Sequence, residues 1–329
     1  MSTTNPTSSK TNHIGLVKSD YSGAKSTLCP GCGHDSVTNH IINAFFKSGI
    51  PPHKVAKLSG IGCSSKTPTY FISRAHGFNS VHGRMAPVAT GVSLVNPELT
   101  CIGVSGDGDT ASIGIGGFVH LLRRNVPMVY LVENNGVYGL TKGQFSATAD
   151  KGTKHKSGER NPFQTIDLCS MAIDVGCTFV ARSFSGDAKQ LVPLLEAAIH
   201  HRGTAFIDII SPCISFANHE GSTRSYEAVR EHIKALQELG FVQPLSEIKV
   251  DYEEGSVQVV EMPDGSMITL RKLESQSHDI TDSINAIRLI QEARNTGEIL
   301  TGLFYLREDI PDLTKTLRLA KDKPLYSLR

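Results

Sequence analysis

The chain has 329 residues, enough for one large domain or two ordinary ones. Hydrophobic residues make up 39% and charged residues 20%, a balance that supports a buried core and excludes global disorder. With 33 basic against 32 acidic residues the formal charge is +1, so no strong footprint for nucleic acid or a membrane surface exists. No run approaches the ~18 consecutive apolar residues of a transmembrane helix.

Residues 1–13, rich in Ser, Thr and Asn, read as a flexible tail. They lack the apolar run of a signal peptide, so a cytoplasmic setting with reduced thiols is expected. Seven cysteines are an odd set for disulfides and in that setting point to metal or redox work. From residue 14 onward, short apolar runs alternate with helical patterns. Val55–Ser59, Thr100–Ser105, Met128–Val132 and Ala205–Ile210 are rich in aliphatic residues with little alternation, as buried parallel strands are. Asp35–Lys47, Phe118–Arg124 and Ala188–His201 read as helices. The alternation predicts a doubly wound, mostly parallel α/β sheet over residues 14–235, with ligands outside the carboxyl ends of its strands. The polar, basic segment Ser146–Asn161 reads as a long mobile loop.

Residues 236–329 read as a small α+β extension docked on that domain. Ser256–Glu261 and Met267–Lys272 flank Pro263-Asp264-Gly265, a hairpin signal because glycine supplies the positive φ of the turn. Ser283–Asn295 then reads as a helix and Leu300–Leu306 as a short apolar segment.

The chemistry concentrates at strand ends. Gly106-Asp107-Gly108-Asp109 follows an apolar run directly, and Glu133-Asn134-Asn135-Gly136 closes the next one. Asp107 and Asn135 are 28 residues apart, room for one helix and a return strand. Adjacent parallel strands would bring carboxylate and carboxamide together, oxygen ligands that suit Mg²⁺ beside a phosphate. Gly114-Ile115-Gly116-Gly117 opens a helix whose N–H groups can help hold that phosphate. Alone, an Asp-Gly pair is a common turn. A nicotinamide site would need the G-x-G-x-x-G order and a downstream acidic residue, both missing here. The GDG and Asn-Asn pairing resembles the thiamine-diphosphate signature, which implies Mg²⁺ on Asp107, Asn135 and the carbonyl of Val137.

Cys29-Pro30-Gly31-Cys32 could bind zinc, act as a dithiol, or hold part of an iron–sulfur cluster. No second paired knuckle completes a zinc ribbon, and no strand is predicted before Cys29 as a thioredoxin-like dithiol requires. Cys63 and Cys213 follow predicted strands, whereas Cys101, Cys169 and Cys177 lie in apolar stretches and read as buried small hydrophobes. The strand-end thiols plus C-x₂-C make four thiolates, the ligand count of a [4Fe–4S] cluster.

Taken together, these stretches resemble the β subunits of 2-oxoacid:ferredoxin oxidoreductases. The matching pieces are Cys29–His34, Gly60–Ser64, His82–Arg84, Gly106–Asp109, Glu133–Gln144 and Ser211–Cys213, from residue 29 to about residue 213. Leu28 departs from the pattern, since many relatives carry Trp there. The resemblance implies a thiamine-diphosphate-binding fold, with Mg²⁺, one [4Fe–4S] cluster on Cys29, Cys32, Cys63 and Cys213, and coenzyme A as co-substrate. It implies that His34, Gly62, Cys63, Ser64, His82, Gly83, Arg84, Gly106, Asp107, Gly108, Asp109, Asn135, Val137, Gly139, Leu140 and Thr141 surround the cofactor. It further implies an α subunit that supplies the pyrimidine-activating glutamate, an (αβ)₂ assembly, and ferredoxin as electron acceptor. Lys66 and Lys142 fall in strand-end loops, where a second cation is useful if the substrate brings a second anion. On that ground, and because the Thr141–Gln144 loop resembles 2-oxoglutarate-using members, 2-oxoglutarate is the expected substrate. Pyruvate or branched-chain 2-oxoacids, a cluster-free decarboxylase or synthase, and a zinc-stabilised non-catalytic subunit are the alternatives.

Overall fold

A computed structural model of the chain describes residues 11–139, 143–153, 159–213, 248–261 and 267–317. The first strands alternate with helices as the apolar runs require. Helix α1 (Gly33–Ser48) leads to β1 (Val55–Ser59), a short α2 (Thr67–Tyr70) and β2 (His76–Asn79). Helix α3 (Met85–Val95), β3 (Thr100–Gly106), α4 (Ile115–Arg123) and β4 (Met128–Asn134) follow. A two-stranded ribbon, β5 (Val137–Tyr138) with β6 (Gln144–Phe145), leads to α5 (Leu168–Asp174), β7 (Phe179–Phe184), α6 (Ala188–His200) and β8 (Thr204–Ile210).

The later residues give β9 (Val257–Glu261), β10 (Met267–Lys272), α7 (Ser283–Asn295), β11 (Ile299–Leu306) and α8 (Leu313–Thr316). They do not stand apart as a docked layer. The large sheet has nine strands in the order β2-β1-β3-β4-β8-β7-β11-β10-β9, so the C-terminal strands extend the main sheet itself. Strands β2 through β7 in that order are parallel. Strand β11 runs antiparallel to β7, and β9 antiparallel to β10 as the hairpin signal predicted, although its turn at Pro263–Gly265 lies outside the described residues.

Helices cover both faces, the doubly wound arrangement. On one face Val37, Ile41 and Phe45 of α1 and Leu191 and Leu195 of α6 bury against Ile102, Val104, Leu131 and Ile207. On the other, Phe118, Leu121 and Leu122 of α4, Leu168 and Ile173 of α5, and Ala286 and Ile290 of α7 share a core with Tyr130 and Phe206. Each fully buried side chain of this size contributes about 1.5–3 kcal/mol, which fixes the strand ends that carry the chemistry. Helix α1 stops at Gly49, whose φ of 64° lets its N–H bond back to the Phe45 carbonyl.

Two expectations are corrected. The tail does not reach residue 13: Asn12 donates to the Phe46 carbonyl and the Tyr21 phenol, so the chain is anchored from about residue 11. Nor is Ser146–Asn161 open along its described length. Ser146, Thr148, Thr153 and Asn161 are buried and the Gly152 and Asn161 backbones bond across the loop, because Thr148 bonds to Asp107 of the site and the Asn161 amide bonds to the loop's own Ala149 and Asp150 carbonyls. Cys101, Cys169 and Cys177 are buried as expected. No described helix is long and apolar enough to cross a membrane.

Candidate functional site

The chain leaves β1 towards β2 on one side and resumes at β3 on the other, a topological switch point where α/β sheets bind ligands. A cavity of about 310 Å³ opens there, lined from the carboxyl ends of β1, β3 and β4. Twelve of the residues expected around the cofactor line it: His34, Gly62, Cys63, Ser64, His82, Gly106, Asp107, Gly108, Asp109, Asn135, Val137 and Gly139. Leu140, Thr141 and Lys142 lie outside the described residues. Lys66 and Arg84 are exposed and do not line the cavity; Arg84 bonds its neighbour Gly83, and the charge of Lys66 partly opposes the burial that raises the Cys63 thiol.

Strands β3 and β4 pair Gly106 with Glu133, which brings the GDG turn beside the Asn-Asn pair. Asp107 is 1% exposed; its Oδ2 accepts from the Thr148 hydroxyl at 2.6 Å, and its Oδ1 is 3.4 Å from the Asn135 N–H. Asn135 Oδ1 accepts from the Val137 N–H at 3.1 Å. A carboxylate, a carboxamide and a nearby carbonyl make an all-oxygen donor set, which fits Mg²⁺ in chemistry. The glycines keep the turn close to its neighbours. A Cβ on Gly108 would lie 2.5 Å from the Tyr138 ring, and Tyr138 donates its phenol to the Gly108 carbonyl at 2.9 Å.

Asp109 holds the walls together. Its Oδ1 accepts from the Gly83 N–H at 2.8 Å and its Oδ2 from the Ser105 hydroxyl at 3.0 Å. Gly83 has a φ of +66°, and a Cβ there would meet the Gly114 backbone at 2.7 Å, so only glycine closes this wall.

His34 and Glu133 form the buried floor. His34 Nδ1 is 2.6 Å from the Ser211 hydroxyl and 3.4 Å from Glu133 Oε2. Burial lowers His34 to about 4. Burial also pushes the Glu133 carboxyl well above the usual range, outweighing the opposing bonds from the Thr67 hydroxyl. Low polarisability around both groups favours their neutral forms. Glu133, Ser211, Tyr138 and Gln144 belong to the sequence motifs, but the motifs give them no role. Thr67 and Thr148 carry no motif signal at all, since their partners lie 66 and 41 residues away.

No disulfide joins any of the seven cysteines. Cys29 and Cys32 immediately precede α1, Cys32 at its N-cap, and Cys63 and Cys213 follow β1 and β8. Burial raises the Cys32 thiol, with Cys213 adding to the effect; burial raises Cys63, with Cys29 adding to it. Each strand-end thiol thus has one of the C-x₂-C pair as an electrostatic neighbour. The set fits a four-thiolate group in ligand type and number. Among the described residues, no three or more His, Cys, Asp or Glu side chains converge as a metal-binding group.

Comparison with known proteins agrees with this geometry. Residues 60–209 match the family model of the thiamine pyrophosphate enzyme, C-terminal TPP binding domain. A 2-oxoacid:ferredoxin oxidoreductase subunit beta from Sulfolobus sp is 44% identical over 189 residues, 57% of this chain and 62% of that protein. The 2-oxoglutarate synthase subunit KorB of Methanocaldococcus jannaschii is 37% identical over 190 residues, 57% of this chain and 70% of that protein. The match thus spans about 60% of the first relatives' length. A solved 2-oxoglutarate:ferredoxin oxidoreductase from Magnetococcus marinus, with 2-oxoglutarate, coenzyme A and succinyl-CoA bound, superposes with a TM-score of 0.73. It is 29% identical, and the superposition covers 92% of this chain and 89% of that one. The strand-end cavity, the GDG and Asn-Asn turns and these similarities agree, and the chain belongs to the β-subunit family of the 2-oxoacid:ferredoxin oxidoreductases.

Proposed function

We propose that this chain is the cofactor-bearing β subunit of a 2-oxoacid:ferredoxin oxidoreductase. It converts 2-oxoglutarate, coenzyme A and oxidised ferredoxin to succinyl-CoA, CO₂ and reduced ferredoxin, together with an α subunit. The observation that carries the reading is the meeting of Gly106–Asp109 with Asn135–Val137 and Cys63 around one cavity at the switch point.

When bound, thiamine diphosphate supplies an electron sink for decarboxylation, and a [4Fe–4S] cluster accepts electrons singly. Asp107, Asn135 and the Val137 carbonyl would hold Mg²⁺, and Cys29, Cys32, Cys63 and Cys213 the cluster. Asp109 keeps the cavity walls in register, and the buried His34–Glu133 pair forms the floor, where burial favours the neutral form of each. Lys142, and Lys66 from outside the cavity lining but close enough to act on the Cys63 thiol, would meet the second carboxylate of 2-oxoglutarate at the cavity mouth, since leaving that charge buried and unpaired would cost several kcal/mol.

The test is co-purification with the α subunit, then assay on a panel of 2-oxoacids with coenzyme A and a viologen acceptor. Expected are about four iron per chain and absorbance near 400 nm that bleaches on reduction. Turnover should be fastest on 2-oxoglutarate. The paired Lys66→Ala, Lys142→Ala variant should lose kcat/KM on 2-oxoglutarate far more than on pyruvate. Colourless protein containing zinc, or a preference for pyruvate, overturns the cluster or the substrate respectively.

A further inference from the structure

Behind the Asp107 carboxylate runs a line of buried polar groups that the proposed reaction does not use. Thr148 Oγ1 donates to Asp107 Oδ2 at 2.6 Å and shares that single proton more weakly with Asn134 Oδ1 at 3.1 Å, so the hydroxyl is held between two acceptors. The Asn134 amide donates to Asp208 Oδ1 at 3.0 Å, and Arg182 Nε donates to Asp208 Oδ2 at 2.8 Å. Arg182 then donates to Asp167 Oδ2 at 2.8 Å.

Strand register explains the line. Asp208 sits opposite Arg182 on β7 and opposite Val132 on β4, two residues before Asn134, so all three side chains share one sheet face. The far end is closed by the C-terminal strands. Register shifts at Phe304 in β11, where one extra residue turns the ring beneath Arg182, 6.0 Å from its guanidinium carbon. Buried ion pairs of this kind are weak sources of stability, and apolar residues of similar volume commonly replace them without loss.

We propose that Thr148, Asn134, Asp208 and Arg182 are positioning residues that fix the Asp107 carboxylate for the magnesium–diphosphate group, with Phe304 of the C-terminal segment as their far anchor. The proposal rests on the thiamine-diphosphate reading of the cavity. It gives the segment after residue 235 a part in cofactor binding that its distance from the cavity hides. Outer partners of metal-holding groups typically change metal affinity 10–100-fold when removed.

The experiment titrates the full chain calorimetrically with thiamine diphosphate at increasing Mg²⁺, and records Tm without either. Thr148→Val should raise the Mg²⁺ needed for half-saturation at least ~10-fold, with Thr148→Ser restoring it. Asp208→Asn, which keeps the shape, should move the requirement in the same direction, and Phe304→Leu should do so more weakly. A Thr148→Val protein with lowered Tm but an unchanged Mg²⁺ requirement would show a merely structural role and overturn the proposal. An unchanged requirement in Phe304→Leu removes the far anchor. Wild type that binds no thiamine diphosphate at any Mg²⁺ concentration overturns the reading of the cavity, and the relay with it.

Discussion

Tyr138 donates its phenol to the Gly108 carbonyl at 2.9 Å while its ring fills the space a Cβ on Gly108 would need. Gly108 is helical in backbone, φ −65° and ψ −40°, so alanine is compatible there and only the ring objects. Gly108→Ala should therefore lower stability by about 1–3 kcal/mol through overpacking and weaken thiamine diphosphate binding. Adding Tyr138→Val should recover part of both losses. Denaturant titration of the four proteins in the cycle measures the coupling, and an additive result removes the ring as the cause.

Asp107→Ala takes away the only charge in the oxygen donor set and leaves the Thr148 hydroxyl without its 2.6 Å acceptor. Thiamine diphosphate affinity in Mg²⁺ should fall sharply while iron content stays at the wild-type level. Calorimetric titration beside iron analysis checks this. Unchanged cofactor affinity would misplace the metal.

Among the thiols, Cys213→Ser should lower iron content, whereas Cys169→Ser should leave it unchanged. Cys169 is buried between Ala181 and the α5 core, away from the cavity, and is engaged by a backbone carbonyl. Iron per chain after anaerobic purification decides it, and equal losses in both variants would undo the ligand assignment.

The fourth prediction follows from His34. Burial holds its pKa at about 4, below the ~6.5 of an unfolded chain, so between these values the unfolded state binds the extra proton. Stability is thus unaffected by His34 at neutral pH and declines as pH falls from about 6.5 towards 4. The loss is on the order of 3 kcal/mol when complete. His34→Gln should flatten that part of the stability curve in denaturant titrations at pH 5 and 7. Parallel curves for the two proteins would show that another group causes the decline.

How much of this could be read in advance depended on how far apart in sequence the partners lie. Strands β1, β3, β4 and β8 announced themselves because each is a continuous apolar run closed by glycine or a polar pair, and helix α7 fell at its predicted bounds. Strand β7 did not, since Phe179–Phe184 carries Arg182 and Ser183 in its middle, which interrupt the apolar run. Those residues are buried because Asp208 and Gln190 pair with them, a compensation no local window reveals. The same holds for the site. Asp107, Asn135 and the strand-end thiols stand in recognisable turns, but Thr148 falls in a polar, basic segment that reads as a mobile loop. Its acceptor, 41 residues upstream, is what draws it inside. Asn134 and Asn135, adjacent at the end of a buried strand, each meet their own partner, Asp208 for the Asn134 amide and Asp107 for the Asn135 backbone N–H.

The antiparallel seam between β7 and β11 has a consequence for synthesis. About 115 residues separate the end of β7 from the start of β11. At ~5–20 residues per second, a nascent chain carries β7 with its outer edge unpaired for roughly 6–25 s before its partner emerges. That edge is a ready template for strands from other chains. Overproduction at high density, where neighbouring ribosomes display many such edges at once, is where this protein is most exposed to aggregation, and slowing initiation relieves it without altering a single residue.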